Sequence, residues 1–331
     1  MQKEKEDLEV YKMKQRTITA MILLAICIPL LILGGYYLAI AVALIGCMGG
    51  YELLTAQRRH NPSKQSYPIF VILLTFVGIL SLLFLNYHQV NGKVIFNFDF
   101  QEGRFTYLGI SLAPIILFLI LLLCSSVISP RFSIQDAFYL FTMVVLITLG
   151  LQSFLYIRSL VLNPNLLSIT KYQAYRYEDL NGIYICLYLL VTTMMTDTGA
   201  YLGGMLYRKL KKPIHFLAPR VSPKKTIEGA IAGTICGTLF GSLIFGLLVC
   251  KYELTLPMIV YILLSLFLSI MAQFGDLIFS CIKRHYEIKD FSDLLPGHGG
   301  VLDRIDSLII NSILLGSFFS IFIQTFSVFV G

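Results

Sequence analysis

Residues 273–306 read QFGDLIFSCIKRHYEIKDFSDLLPGHGGVLDRID, and they place a dense group of charged side chains between two apolar runs. The runs cover roughly residues 256–282 and 302–329, and each exceeds the ~20 residues that cross a bilayer as a helix. Charged residues at the edge of a membrane span are energetically costly and usually have a function. We therefore expect this segment to lie where two membrane helices meet water and to carry the chemistry of the protein.

The composition extends this interpretation to the whole chain. The 331 residues are 56% hydrophobic and 14% charged, whereas soluble domains are about half apolar and about a quarter charged. The sequence therefore predicts an all-α polytopic membrane protein with about nine transmembrane helices. The predicted spans are 17–34, 35–55, 67–86, 107–128, 135–157, 181–207, 226–250, 256–282 and 302–329.

The positions of the cations predict an orientation. If the N-terminus is cytoplasmic, 20 of the 26 Lys and Arg residues fall on the cytoplasmic side and six on the other. Such an excess marks the inner side of a membrane, so we expect the N-terminus inside and the C-terminus outside. Loops 208–225 and 283–301 then face the cytoplasm, where nucleotides are. The net charge of +7 reflects this pattern and does not indicate nucleic-acid binding.

The predicted organisation has three parts. Residues 1–16 form a cytoplasmic tail, residues 17–180 an N-terminal region of five spans, and residues 181–331 a catalytic region of four spans with cytoplasmic loops. The outside loops 87–106 and 158–180 contain no motif that we can assign. We expect the protein in the plasma membrane, with its active site facing the cytoplasm.

Two aspartates from different spans are the first candidate site. Gln273, Asp276, Ser280 and Lys283 are spaced by three or four residues and so share one helical face. Asp303 begins the next span. Carboxylates that converge from separate helices indicate a hard divalent cation such as Mg²⁺. The alternative is that each aspartate pairs with a cation from the set Lys283, Arg284 and Arg304.

Glycines and lysines suggest sites for phosphate. The turn that includes Gly299 and Gly300 would leave backbone N–H groups free at a helix start, which suits an anion. In the stretch from Ser222 to Gly229, Ser222 or Thr226 can cap a helix, which leaves Lys224 and Lys225 at its mouth. The basic run 208–212 is better explained as a topology signal or a contact with anionic lipid. Glycines at every fourth position from 229 to 241 indicate close helix packing.

These segments resemble the phosphatidate cytidylyltransferases, also called CDP-diacylglycerol synthases. The signature of that family is present here without departure as Ser280, Lys283-Arg284, Lys289-Asp290, Ser292, Leu295-Pro296, His298-Gly299-Gly300, Asp303-Arg304 and Asp306. The blocks that begin at Asp197 and Ser222 are also similar to segments of the family.

The resemblance implies that CTP and phosphatidate react to give CDP-diacylglycerol and pyrophosphate, with Mg²⁺ held by Asp276 and Asp303. A monovalent cation is a second candidate cofactor, and a homodimer embedded among membrane lipids is expected. The candidate catalytic residues are Asp276, Asp303, Lys225, Lys283, Arg284 and Arg304. The candidate substrate-binding residues are Ser222, Lys224, Asp197, Lys289, Asp290, His298, Gly299, Gly300 and Asp306. For His298 we favour a hydrogen bond in the turn over acid–base chemistry, because a phosphate monoester is already ionised near neutral pH.

Two other functions would explain part of this pattern. A CTP-dependent polyprenol or phytol kinase also joins a cytosolic nucleotide to a membrane lipid, but it would transfer the γ-phosphoryl group. An ion-coupled transporter would explain carboxylates within spans, although such proteins often contain inverted repeats. No internal repeat is visible in the sequence, and its charges gather on one side of the membrane.

Overall fold

The computed structural model describes residues 2–60, 66–90, 93–99, 101, 104–105, 108, 111–160, 181–210, 214–250, 257–297 and 299–330. The chain divides into two compact units. The first consists of Met1–Asn86, Ser111–Thr148 and Ile282–Ile305, and the second of Tyr87–Ile110, Leu149–Cys281 and Asp306–Gly331.

Within the described residues a helix occupies each of the nine predicted spans. The helices are α1 (Gln2–Leu33), α2 (Gly35–His60), α3 (Ile69–Phe84), α4 (Leu112–Ile128), α5 (Ile134–Ser159), α6 (Asn181–Lys209), α7 (Ile227–Ile244), α8 (Met258–His285) and α9 (Leu302–Val330). A π-helical turn, Phe245–Val249, follows α7. Six helices (α2 and α5–α9, with the π-turn counted into α7) contain segments long and apolar enough to cross a membrane, whereas the apolar parts of α1, α3 and α4 are shorter. The chain is therefore a multi-pass helical membrane protein.

The first unit begins with a helical hairpin that the sequence predicted. The chain reverses at Gly34 and Gly35, whose φ angles of 62° and 51° are accessible mainly to glycine. Helix α1 nevertheless begins at Gln2, so residues 2–16, which were predicted to be a polar tail, are helical. Close packing continues in this unit at Gly50, where an added Cβ would lie 2.5 Å from Ile79 Cδ1.

The second unit is built around closely packed α6 and α7. The glycine stripe on α7 faces α6, as the fourfold spacing predicted. A Cβ on Gly229 would lie 2.7 Å from the Ala200 carbonyl oxygen, and one on Gly233 would lie 2.6 Å from that of Thr196. Gly199 on α6 faces the α7 side chain of Cys236. The small residues therefore allow the two backbones to approach closely, which is how helices often associate in membranes.

Short strands in the loops are the feature that the all-α prediction missed. Strands β1 (Tyr87–Val90) and β2 (Lys93–Phe96) form one hairpin, and β3 (Phe98–Asp99) pairs with β4 (Arg104–Phe105). Strands β5 (Phe216–Ala218) and β6 (Ser222–Thr226) form a third hairpin just before α7. These pairs contain few residues and lie outside the apolar runs, so hydropathy carries no signal for them. Most of loop 158–180 lies outside the described residues.

Candidate active site

Lys225 and Asp276 form an ion pair within the second unit. Lys225 lies in β6, two residues before the start of α7, and its Nζ lies 2.6 Å from Asp276 Oδ2 on α8. The two side chains are 27% and 32% exposed, so both can be reached by a ligand. A lysine beside a helix N-terminus is well placed to hold phosphate. Its partner is one of the two aspartates predicted to bind metal.

The polar face predicted for α8 is present, and its members are hydrogen bonded. Ser280 Oγ donates to Asp276 Oδ1 over 3.2 Å, which orients the carboxylate from its own helix. Gln273 Nε2 donates to Thr234 Oγ1 on α7 over 2.9 Å. The second bond connects α8 to α7. The polar face is therefore packed against α7 at Gln273, while Asp276 stays partly exposed.

The β5–β6 hairpin is attached to α6 and α7 by polar contacts. His215 Nδ1 lies 2.7 Å from Glu228 Oε1, and the His215 backbone N–H donates to the same carboxylate. An Arg208 Nη atom donates to the Lys224 carbonyl oxygen over 3.0 Å. Of the two predicted helix caps, Thr226 is the one observed, because its Oγ1 accepts from the Gly229 N–H over 3.1 Å. Ser222 instead belongs to β6, opposite Ala218.

Asp303 and Lys283 form a second ion pair, this one buried in the first unit. Lys283 Nζ lies 2.7 Å from Asp303 Oδ1, and the side chains are 9% and 2% exposed respectively. The other carboxylate oxygen accepts the backbone N–H groups of Phe291 and Gly300, each over 2.9 Å. Asp303 therefore holds the connection between α8 and α9 at two points while it neutralises a buried lysine.

Glu52, which the sequence analysis did not select, contacts the same connection. Its side chain is fully buried near the end of α2. Oε1 accepts the Val301 N–H over 2.7 Å and the Ser292 hydroxyl, and Oε2 accepts the Leu302 N–H over 2.8 Å. The sequence does contain one indication of these contacts, because Glu52 is a single carboxylate inside an apolar span. Burial of such a carboxylate in a membrane without a partner is energetically costly. Its partners lie about 250 positions further along the chain, so no local pattern could name them.

The glycine-rich turn does not present free N–H groups at the start of α9. The amides of Gly300, Val301 and Leu302 donate to Asp303 or Glu52, and the Gly299 amide donates to the Leu295 carbonyl oxygen. The prediction of amides free to bind phosphate is therefore wrong for these residues. Gly299 has a φ of 83°, which explains glycine there. A Cβ on Gly300 would lie 2.8 Å from Glu52 Oε1, so glycine at this position allows the close approach of the Glu52 carboxylate.

The remaining predicted residues differ in environment. Asp306 is buried and accepts the Ser307 N–H over 2.7 Å. Arg284 is exposed and donates to the Ile288 carbonyl oxygen over 3.0 Å. Exposed side chains are found at Asp197, Lys224, Lys289 and Arg304, and Asp290 is half-buried. His298 lies outside the described residues.

The carboxylates of Asp276 and Asp303 are the groups predicted to bind Mg²⁺. Among the described residues, there is no group of three or more His, Cys, Asp or Glu side chains suited to a metal. Mg²⁺ is commonly held by one or two carboxylates, with water and substrate phosphates completing the shell. The Asp276 and Asp303 carboxylates are donors of that kind, and each now binds an ammonium group. Their donor chemistry fits Mg²⁺, and their convergence on one ion stays a prediction.

Together these features define a multi-pass helical membrane protein in which two residues of α8, Asp276 and Lys283, each take part in a lysine–aspartate ion pair. The chain belongs to the cytidylyltransferase family, which its residues 14–326 match. It is therefore an enzyme of the nucleotidyltransferase class, as the signature in residues 280–306 indicated.

Curated relatives agree with this assignment. A phosphatidate cytidylyltransferase of Staphylococcus haemolyticus is 32% identical over 308 residues, which cover 90% of this chain and 95% of the relative. The Bacillus subtilis phosphatidate cytidylyltransferase is 30% identical over 299 residues, with coverage of 90% and 94%. The enzyme of that name from Staphylococcus aureus strain COL is 32% identical over 300 residues, with coverage of 90% and 95%. The resemblance recognised in the sequence is thus confirmed over nearly the whole chain.

Proposed function

We propose that this chain transfers the CMP group of CTP to phosphatidate and thereby forms CDP-diacylglycerol and pyrophosphate for phospholipid synthesis. The observation that carries the proposal is the family match over residues 14–326, with relatives named phosphatidate cytidylyltransferase. The complete signature in residues 280–306 supports it. The lipid substrate stays in the bilayer throughout, which suits an enzyme built from membrane helices.

The reaction joins two anions. A phosphatidate oxygen attacks the α-phosphorus of CTP, a new P–O bond forms, and the bond to the β-phosphate bridging oxygen breaks. Pyrophosphate leaves with the electron pair, so the atoms and charges balance. Catalysis of phosphoryl and nucleotidyl transfer rests largely on positioning and charge stabilisation. The cations of Lys225 and Lys283 lie beside the carboxylates that we expect at the centre of the site.

Each of the two ion pairs orients a lysine that we expect near the substrate phosphates. Lys225 is held by Asp276 and Lys283 by Asp303, so each cation is oriented rather than free to sample many rotamers. The phosphate of phosphatidate is a monoester that carries nearly two negative charges, so it offers a lysine a more highly charged partner than a carboxylate does. Asp276 and Asp303 would hold Mg²⁺, which would supply positive charge to offset the negative charge of the phosphates and of the leaving pyrophosphate. Arg284, Arg304 and Lys224 are the further candidates for phosphate contacts.

The orientation in the membrane is part of the proposal. We expect nine spans in the plasma membrane, a cytoplasmic N-terminus and an active site open to the cytoplasm. Contacts within the first unit agree with the predicted topology. Thr19 Oγ1 near the start of α1 donates to the Pro296 carbonyl oxygen, and Glu52 near the end of α2 binds Val301. Residues at the start of the first span and near the end of the second thus both contact the segment 286–301, which supports the predicted hairpin. The homodimer and the monovalent cation rest on the family resemblance.

The experiment that tests the activity follows the label from two forms of CTP. Purified protein is incubated with phosphatidate, Mg²⁺ and CTP labelled at either the α- or the γ-phosphate. A lipid labelled only from α-labelled CTP is the expected product. A lipid labelled from γ-labelled CTP would instead identify a lipid kinase, and no labelled lipid from either form would refute both activities.

A further inference from the structure

Glu52 is a buried carboxylate whose partners in the described structure are neutral donors. Its side chain has no exposed surface, and its oxygens accept two backbone N–H groups and one hydroxyl. Burying an ionised carboxylate is costly unless several donors compensate it. The two amide donors lie at the N-terminus of α9, where aligned peptide dipoles favour negative charge. This position therefore provides a donor for each oxygen of the Glu52 carboxylate.

Glu52 and Asp303 hold the same short segment of chain from different positions. Glu52 binds the hydroxyl of Ser292 and the amides of Val301 and Leu302. Asp303 accepts the amide of Phe291, which precedes Ser292, and the amide of Gly300, which precedes Val301. The Asp303 backbone directly follows two residues that Glu52 fixes. A shift of the Val301–Leu302 backbone would therefore move the Asp303 carboxylate and the Lys283 ammonium group paired with it.

We propose that Glu52 is a positioning residue for nucleotidyl transfer. Its carboxylate sets the first turn of α9 and thereby fixes the orientation of Asp303 and Lys283. It also fills the anion-binding position at the N-terminus of α9, so that substrate phosphate is held by lysine side chains instead of by this helix terminus. This inference rests on the proposed cytidylyltransferase function and adds a residue outside the signature to its site.

Glu52→Gln is the informative substitution because it keeps the size of the side chain, removes its charge and replaces one acceptor oxygen by an NH₂ donor. The Gln amide group has one acceptor oxygen and one donor nitrogen. In either orientation its NH₂ group faces a backbone N–H, that of Leu302 or that of Val301. The helix start must then shift or leave an amide unpaired. A displacement of about 1 Å at a reacting group can reduce the rate about 100-fold.

The experiment measures the kcat, the KM for CTP and the thermal stability of wild type, Glu52→Gln and Glu52→Asp. Glu287→Gln is the matched control, because it neutralises an exposed carboxylate in the same loop. We expect Glu52→Gln to lower kcat/KM about 100-fold, with a raised KM for CTP. Glu52→Asp keeps the charge and should recover part of the loss, and Glu287→Gln should match wild type.

The KM separates positioning from a general loss of folding. If Glu52 only stabilised the fold, Glu52→Gln would reduce the amount of folded enzyme, and the remaining molecules would bind CTP with the wild-type KM. That result, or wild-type kcat and KM in Glu52→Gln, would overturn the inference and leave the proposed function intact. Failure of the proposed function would appear in the wild-type protein, which would then form no lipid labelled from α-labelled CTP.

Discussion

Asp276 and Asp303 are expected to be equally necessary for catalysis but very unequal in their effect on stability. Asp303 pairs with Lys283 where the side chains are 2% and 9% exposed, and it also accepts two backbone amides. Removing one partner of a buried ion pair typically costs about 3–5 kcal/mol. Asp276 pairs with Lys225 at a partly exposed position, where such pairs contribute at most about 1 kcal/mol. Asp303→Asn should therefore lower the free energy of unfolding by several kcal/mol more than Asp276→Asn.

A double variant isolates the cause. In Asp303→Asn the side-chain oxygen can still accept the Phe291 and Gly300 amides, but the new NH₂ group then points at the Lys283 ammonium group. Replacing that lysine by the similarly long Met removes the unpaired charge, and buried pairs replaced by apolar groups are often close to neutral. Asp303→Asn combined with Lys283→Met should thus recover about half of the lost stability but none of the activity. Such coupling is measured by a double-mutant cycle.

The assay combines turnover with a melting curve. Thermal stability is measured by heating the protein and determining, by chromatography in detergent, the fraction that stays monodisperse. This measure is preferred to intrinsic fluorescence because the chain contains no Trp. Both single variants should form no labelled lipid. Equal melting of the two single variants, or no recovery in the double variant, would refute the reasoning from burial. Full turnover in either single variant would refute the metal-ligand prediction.

Three further outcomes are expected. Lys225→Ala should lower kcat/KM about 10- to 150-fold, which is the equivalent of one charge-assisted hydrogen bond to phosphate. The control Lys209→Ala, in the basic run 208–212, should stay active. Unchanged KM values for CTP and phosphatidate in Lys225→Ala would contradict its role in binding phosphate. Gly233→Ala should destabilise the protein by about 1–3 kcal/mol, because its Cβ would lie 2.6 Å from the Thr196 carbonyl oxygen. Gly246→Ala is the control in the melting assay, since the nearest atom there is the Tyr261 hydroxyl at 3.3 Å; equal melting of the two variants would count against close α6–α7 packing. Chelation of divalent cations should abolish turnover and added Mg²⁺ should restore it, and turnover that survives chelation would show that the aspartates act without a metal.

Several features of this protein follow from the sequence by itself. Apolar runs of about 20 residues predict membrane helices because the insertion of a helix into the bilayer depends on the hydrophobicity of that segment alone. The positions of the helices and the close packing of the glycine stripe on α7 could therefore be predicted. Periodicity also predicted the polar face of α8, since residues three or four apart share a side of a helix. The charged signature, finally, identified the family.

The tertiary structure decided which groups meet. From the sequence, the cations expected to pair with Asp276 were Lys283, Arg284 and Arg304, whereas the partner observed is Lys225, 51 positions earlier. The start of α9 was expected to offer free amides, yet Glu52 from α2 and the adjacent Asp303 occupy them. Helix formation depends on neighbours in sequence, whereas a buried charge is satisfied by whichever donors the fold brings to it. The contacts of Glu52 therefore depend on the fold of the first unit, which brings the end of α2 to residues 292, 301 and 302.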